Sequence, residues 1–338
     1  MTEPLLSLKD LSIAYKVGAN DTIAVEGATF DVQPGSIVGL VGESGCGKTT
    51  LARSLTRVLA SNARIAGGQA VFCGQDIVGL SERAMNGLRW REIAFIPQSA
   101  MNSLDPVYTV GWQLAEVLIH RGGMGRGAAR ARSEELFEWV GIETNRLGDY
   151  PHQFSGGMRQ RVAIALALAL DPKLIIADEP VTALDVIVQR QILDQLRELK
   201  ERLGISVILV THDISVVAYV CDRVVVMYAG RVVESGPMAA TLTAPAHPYT
   251  MGLRNAFPDL ASAAGELTPI EGSPPDLANP PPGCRFAPRC PFAEARCRTD
   301  VPELQVYEGD HLAACHRIAE ADALRARAKK SETLAVNA

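Results

Sequence analysis

The sequence has no apolar run long enough to cross a bilayer. The longest, Val162–Leu170, is nine residues, against the roughly 20 that a spanning helix needs. The opening residues, MTEPLLSLKD, carry neither a basic patch nor an apolar stretch, so no secretory signal is expected and the chain reads as cytosolic. Positive charge is not in excess either: 33 Lys and Arg stand against 38 Asp and Glu, a net charge of −5. That balance argues against holding nucleic acid by bulk electrostatics. A disulfide framework is also unexpected in a reducing compartment. Of seven cysteines, Cys46, Cys73 and Cys221 are scattered and Cys284, Cys290, Cys297 and Cys315 crowd together, which leaves burial or metal binding to explain the crowd. With 338 residues and 47% hydrophobic content, the chain has room for one large domain plus an extension, or two modest domains.

Apolar runs alternate between strand and helix periods. Residues 5–15 and 24–32 suggest antiparallel strands split by a polar turn at Gly18–Thr22, and Pro34-Gly35 turns the chain into a third strand, Ile37–Val41. Short strands are expected around Val71-Phe72 and over Ile93–Ile96. The stretch Val110–Val140 is largely helical in pattern. A further helix follows Phe154-Ser155-Gly156-Gly157 and stops at Asp171-Pro172. Then come a strand at Leu174–Ala177, a helix at Gln189–Leu203, and strands at Val207–Val210 and Val224–Met227. Alternation of this kind predicts an α/β fold with a mainly parallel sheet, an antiparallel β subdomain at its start and a helical subdomain at about 100–160. Residues 259–283 are rich in Pro, Gly and Ser and read as linker or irregular structure. Residues 317–330 have a possible helical composition. The expected division is 1–258 for the main domain and 259–338 for a small, irregular, Cys-rich C-terminal extension. Cys73 and Cys221, each beside apolar strand residues, are expected to be buried small hydrophobes.

Residues 36–50, SIVGLVGESGCGKTT, organise the rest. Gly42, Gly47, Lys48 and Thr49 match G-x-x-x-x-G-K-[ST], between an apolar strand and a helix-compatible run, as this phosphate-binding pattern requires. Backbone N–H groups of Glu43, Ser44, Gly45, Cys46 and Thr50 can converge on phosphate oxygens beside the positive helix end. Lys48 can reach the β and γ phosphates, and Thr49 can ligate Mg²⁺. Asp178 and Glu179 stand at the C-terminal end of an apolar strand, where open α/β sheets bind ligands. Asp178 can support Mg²⁺ while Glu179 orients and deprotonates the attacking water. Ser155, Gly156, Gly157 and Met158 open a helix and offer a second phosphate-gripping site, whose natural client is a partner's nucleotide.

These residues resemble the signature of the ATP-binding cassette family, P-loop NTPases with a RecA-like sheet whose subunits dimerise head to tail. The resemblance spans about 5–245. It implies that Tyr15 stacks on adenine, that Gln98 senses metal and attacking water, that Asp185 in Ala183-Leu184-Asp185 communicates across the dimer, and that His212 contacts the γ-phosphate. The implied ligands are ATP and Mg²⁺, bound between this chain and a second ABC ATPase subunit, a related sister chain. Two transmembrane permease subunits and an extracytoplasmic solute-binding protein complete the implied partners, with this chain at the cytoplasmic face of the membrane and no nucleic acid involved. Two departures stand out: Cys46 where serine is common, and Met158 where glutamine usually completes the signature. Neither removes a group that must ligate metal or activate water.

Five, six and seventeen residues separate the four C-terminal cysteines. Four thiolates suit zinc or iron–sulfur, and this spacing by itself selects neither. With Ala246-His247-Pro248-Tyr249-Thr250, the region resembles the C-terminal extension of the ATPase subunits of oligopeptide, dipeptide and nickel importers, several of which carry a 4Fe-4S cluster on four such cysteines. The resemblance implies ATP-driven peptide import, with nickel or another small solute as the alternative cargo. A soluble ABC ATPase is the more distant alternative, and it sits poorly with a single set of motifs and no heptad run.

Overall fold

The computed structural model describes residues 3–100, 103–255 and 270–328. Its strands are β1 (Leu6–Val17), β2 (Asn20–Val32), β3 (Ile37–Val41), β4 (Ala63–Phe72), β5 (Gln75–Asp76), β6 (Ile93–Ile96), β7 (Leu174–Asp178), β8 (Ser206–Thr211), β9 (Arg223–Tyr228), β10 (Arg231–Pro237), β11 (Gln305–Glu308) and β12 (His311–Ala313). The chain divides into two compact units.

One unit contains Val32–Ile37 and Gly79–Val210. Strands β6, β7 and β8 run parallel in it, with Phe95 opposite Ile176 and Ile176 opposite Ile208. Strands β7 and β8 are buried along their whole length, so both are continuous apolar runs without alternation, as strands covered on both faces must be. Helices Val110–His120, Arg126–Trp139 and Gly156–Ala167 account for the expected helical subdomain. Leu114, Leu118, Ala129, Leu136 and Phe137 form its buried stripe. Helix Val186–Leu203 begins three residues before the apolar pattern suggested, because Asp185 caps it.

The other unit contains Leu5–Asp31, Val38–Val78 and the chain from Thr211 onward. It holds a four-stranded sheet in the order β2-β1-β4-β5, in which β1 and β4 pair antiparallel. Strand β4 is ten residues long and runs through Gly67-Gly68. The sequence suggested only a short strand over Gly67-Gly68 and Val71-Phe72. The remaining strands of this unit are neighbours in the order β11-β12-β10-β9-β3. Of these, β3 and β9 are parallel, while β10 pairs antiparallel with β9 and with β12.

The region after residue 300, expected to be irregular, thus adds two strands to this row. Helix Ala321–Ala328 follows and seats Leu324 and Ala328 against Met251 and Phe292. Cys221 is buried as expected, whereas Cys73 is exposed, in a turn with φ +48° rather than a strand. The linker expected at 259–283 lies outside the described residues up to 269; from 270 it meets turns and bends. No helix among the described residues is long and apolar enough to cross a membrane.

Candidate nucleotide site

Strand β3 is buried throughout and delivers the chain into the glycine-rich loop. Gly47, at φ +100°, is the residue before helix Lys48–Leu55, and a Cβ there would lie 2.6 Å from the Ala24 carbonyl. Only glycine fits both restrictions. Among the described residues no side chain caps this helix, although Ser81, Thr109, Ser155, Asp185 and Asp213 each accept a backbone N–H from the helix they precede. An end without a cap directs its first-turn N–H groups and its positive dipole outward, where an anion can take the place of a cap.

Lys48 is 5% exposed, and its ammonium donates to the carbonyls of Gly42 (2.7 Å) and Glu43 (2.9 Å) while lying 3.7 Å from Cys46 Sγ. The reach toward β and γ phosphates expected from the motif is therefore turned onto the loop's own backbone. Burial raises the Cys46 thiol pKa against the opposing pull of Lys48. Ser44 and Gly45, at the tip of the loop, are exposed. Tyr15 places its hydroxyl 3.0 Å from that of Thr50, which fixes the ring beside the loop helix. Glu43 is held from two sides: its N–H donates to Tyr249 Oη at 2.9 Å and its carboxylate accepts from Arg289 Nη1 at 2.8 Å. Neither partner was foreseen as part of the site, because each lies more than 200 residues away in the chain.

In the other unit, Asp178 is fully buried at the end of β7. Glu179 follows in the left-handed region, φ +50°, with its N–H on the Val210 carbonyl at 2.8 Å. A non-glycine residue held there costs about 1–3 kcal/mol, and such strain gathers at functional sites. One carboxylate oxygen, Oε2, accepts from Gln98 Nε2 at 2.8 Å and from Thr182 Oγ1 at 3.1 Å. Gln98 and Glu179, separate in sequence, are thus brought into contact. Thr182 is the additional donor that the sequence reading missed.

Ser155 Oγ accepts the Met158 N–H at 3.4 Å and caps helix Gly156–Ala167. Gly157 is packed so closely that a Cβ would lie 2.5 Å from Val188 Cγ1. That contact joins the signature to helix Val186–Leu203, whose cap Asp185 accepts the Val188 N–H at 3.0 Å. Met158 is pinned in place of glutamine by Arg146, whose Nη1 lies 3.2 Å from the thioether sulfur. His212 is exposed, one residue beyond the end of β8.

Cys284, Cys290, Cys297 and Cys315 all line one small cavity, walled also by Phe286, Phe292 and Leu324. Cys284 accepts N–H bonds from Phe286 and Ala287, Cys290 from Phe292, and Cys315 from Arg317 at 3.4 Å. Burial raises the Cys284 thiol, pushes Cys290 up to about 12 and Cys315 to about 11. No group of three or more His, Cys, Asp or Glu among the described residues is arranged to hold a metal ion. The four cysteines thus line one cavity without the arrangement expected of a metal site.

Residues 25–182 match the family described as ABC transporter, and residues 233–297 match the oligopeptide/dipeptide transporter C-terminal region. The dipeptide transport ATP-binding protein DppD of Bacillus subtilis is 43% identical over 316 residues, covering 93% of this chain and 94% of that protein. The oligopeptide transport ATP-binding protein OppD of Salmonella typhimurium is 45% identical over 318 residues, covering 94% of each. Among solved structures, a dimeric ATP-binding cassette in a post-hydrolysis state with ADP and Pi superposes with a TM-score of 0.62 at 29% identity, covering 69% of this chain and 98% of that one. The cbiO1 protein of Clostridium perfringens, part of an ABC transporter complex, gives the same TM-score at 26% identity, covering 72% and 92%. A parallel sheet feeding an uncapped phosphate-loop helix, together with identity that runs nearly end to end, places the chain in the ABC transporter family as an ATP-binding subunit.

Proposed function

We propose that this chain hydrolyses ATP to drive import of peptides, working as one of two cassettes on the cytoplasmic face of a membrane transporter. The observation that carries the reading is the near full-length likeness to dipeptide and oligopeptide transport ATP-binding proteins, which extends into their C-terminal region. The other partners are a sister cassette, two permease subunits and an extracytoplasmic solute-binding protein. Lys48 and the loop N–H groups hold phosphates, and Tyr15 meets the adenine. Mg²⁺ would be held by Thr49, Gln98 and Asp178 and would supply charge neutralisation at the phosphates; a buried carboxylate and a hydroxyl are the hard oxygen donors it prefers. Glu179, oriented by Gln98 and Thr182, takes the proton of the attacking water. His212 contacts the γ-phosphate. Ser155, Gly156, Gly157 and Met158 close over the partner's nucleotide, with Asp185 beside them.

We infer a 4Fe-4S cluster on the four C-terminal cysteines from the resemblance of this region, although among the described residues they are not arranged to hold a metal ion. A single zinc ion gathers its thiolates at about 2.3 Å from one centre, whereas a cluster takes one thiolate at each of four corners. Four cysteines around an apolar cavity, three of them receiving backbone N–H bonds, suit thiolate ligation of either kind, and only the resemblance of the region favours the cluster. The cluster would staple a small region whose own apolar core is slight.

Uptake measurements in a strain lacking the gene test the cargo. Loss of labelled di- and oligopeptide uptake with nickel uptake intact is the expected result, and the reverse pattern would replace peptide by nickel.

A further inference from the structure

Arg289 lies between two of the clustered cysteines, Cys284 and Cys290, at the end of the single turn Ala287–Arg289. Its side chain is 7% exposed, yet it reaches the phosphate loop. Nη1 donates to Glu43 Oε2 at 2.8 Å and to Tyr228 Oη at 3.2 Å, Nε donates to the Glu271 carbonyl at 2.8 Å, and Nη2 to the Ile270 carbonyl at 3.1 Å. The guanidinium also lies over the Tyr228 ring, 5.7 Å from its centroid. A cation so buried and so fully engaged has one position.

Glu43 in turn has none of its polar groups idle. Its N–H is taken by Tyr249, its carboxylate by Arg289 and its carbonyl by the Lys48 ammonium. Tyr249 is itself packed against Tyr228 and Phe286, with ring centroids 4.6 and 5.5 Å away. Phe286 stands two residues from Cys284 and walls the cysteine cavity. Within the loop the first residue after Gly42 is held at its carbonyl, by Lys48 and the Cys46 N–H at 3.2 Å, while its N–H and carboxylate are held by side chains from outside the loop.

We propose that Arg289 is a positioning residue of the phosphate loop, and that through it the fold of the cysteine-bearing segment sets the affinity for nucleotide. The loop must present several N–H groups to one phosphate at once, so a displacement of Glu43 also moves the carbonyl that holds Lys48. The inference rests on the reading that residues 42–50 bind the phosphates of ATP. Arg289 touches no reacting atom; its effect falls on binding and not on the chemical step.

Calorimetric titration of the full-length chain with MgADP tests this. Arg289→Ala and Glu43→Ala are each expected to weaken MgADP about tenfold, and the double variant no further, because each removes the contact they share. Arg289→Lys restores part of the loss, since an ammonium can reach Glu43 but cannot also serve both backbone carbonyls. Cys290→Ser weakens binding in the native background and adds nothing to Arg289→Ala. ATPase assays show KM for ATP raised with kcat within about twofold. Binding within twofold of native in Glu43→Ala and Arg289→Lys, or additive losses in the cycle, overturns the proposal; these two variants decide it should Arg289→Ala fail to fold. An unchanged affinity in Cys290→Ser overturns the link to the cysteine segment. Absence of MgADP binding in the native chain would instead refute the reading of the loop.

Discussion

Replacing Glu179 by Gln separates holding a nucleotide from consuming it. In the structure both donors to this side chain, Gln98 Nε2 and Thr182 Oγ1, meet a single oxygen, Oε2. An amide oxygen occupies that place without moving either donor. The substitution exchanges two charge-assisted hydrogen bonds for neutral ones, about 1 kcal/mol each. The backbone conformation, anchored by the Glu179 N–H on Val210, is unaffected. What is lost is a group able to accept a proton, and general-base catalysis contributes about 10²–10⁴-fold, or roughly 3–5 kcal/mol of barrier. Steady-state ATPase of the assembled transporter should fall by that factor while MgATP affinity stays within about threefold of native. Gel filtration with MgATP should show the cassette pair accumulating in its closed form. Hydrolysis within tenfold of native would mean that another group takes the proton, and a parallel loss of MgATP binding would mean that Glu179 holds ligand and not water.

Three further outcomes are expected. Gly157→Ala brings a Cβ within 2.5 Å of Val188 Cγ1, an overpacking worth about 1–3 kcal/mol; chemical denaturation should show that loss, and adding Val188→Ala should recover most of it. His247, whose Nδ1 accepts the Tyr249 N–H at 3.0 Å, has its pKa lowered by burial to about 3. The unfolded chain takes up this proton as pH falls through about 6.5 while the folded one does not, so the stability is present above 6.5 and is lost toward 3. At pH 5 the loss is about 2 kcal/mol, and His247→Asn, which keeps an acceptor, should remove it from the difference between urea midpoints at pH 7.5 and pH 5. Protein purified without oxygen should show a broad absorbance near about 400 nm, lost on replacing Cys284 and Cys315 by serine, whereas a colourless, iron-free native protein would refute the cluster.

Local pattern carried most of the nucleotide machinery into view. Ile37–Val41 and Leu174–Asp178 are buried on both faces, so unbroken apolar runs identified them, and the groups that follow inherit their place from the strand ends. Ser155 was equally local, visible as a polar residue opening an apolar helix, whereas the Asp185 cap was not read and its helix starts three residues earlier than the apolar pattern. Strand β4 reads as short from its own residues because its length is set by tertiary pairing with β1, which reaches back to Ala63 opposite Tyr15. Thr182 was missed because nothing in its neighbourhood distinguishes a donor to Glu179 from an ordinary loop threonine. The Arg289 to Glu43 pair was illegible for a different reason: 246 residues separate the two, and an ion pair between distant loops leaves no periodicity to read.

The antiparallel pairing of β12 with β10 bears on how a shortened version of this protein should be cut. Ending the chain before residue 305 to obtain a minimal cassette would strip β10 of its neighbour and leave a row of N–H and C=O groups open to any passing chain. Such a fragment should self-associate edge to edge, and a loss of solubility in it would report a missing sheet margin and not a failure of the nucleotide machinery.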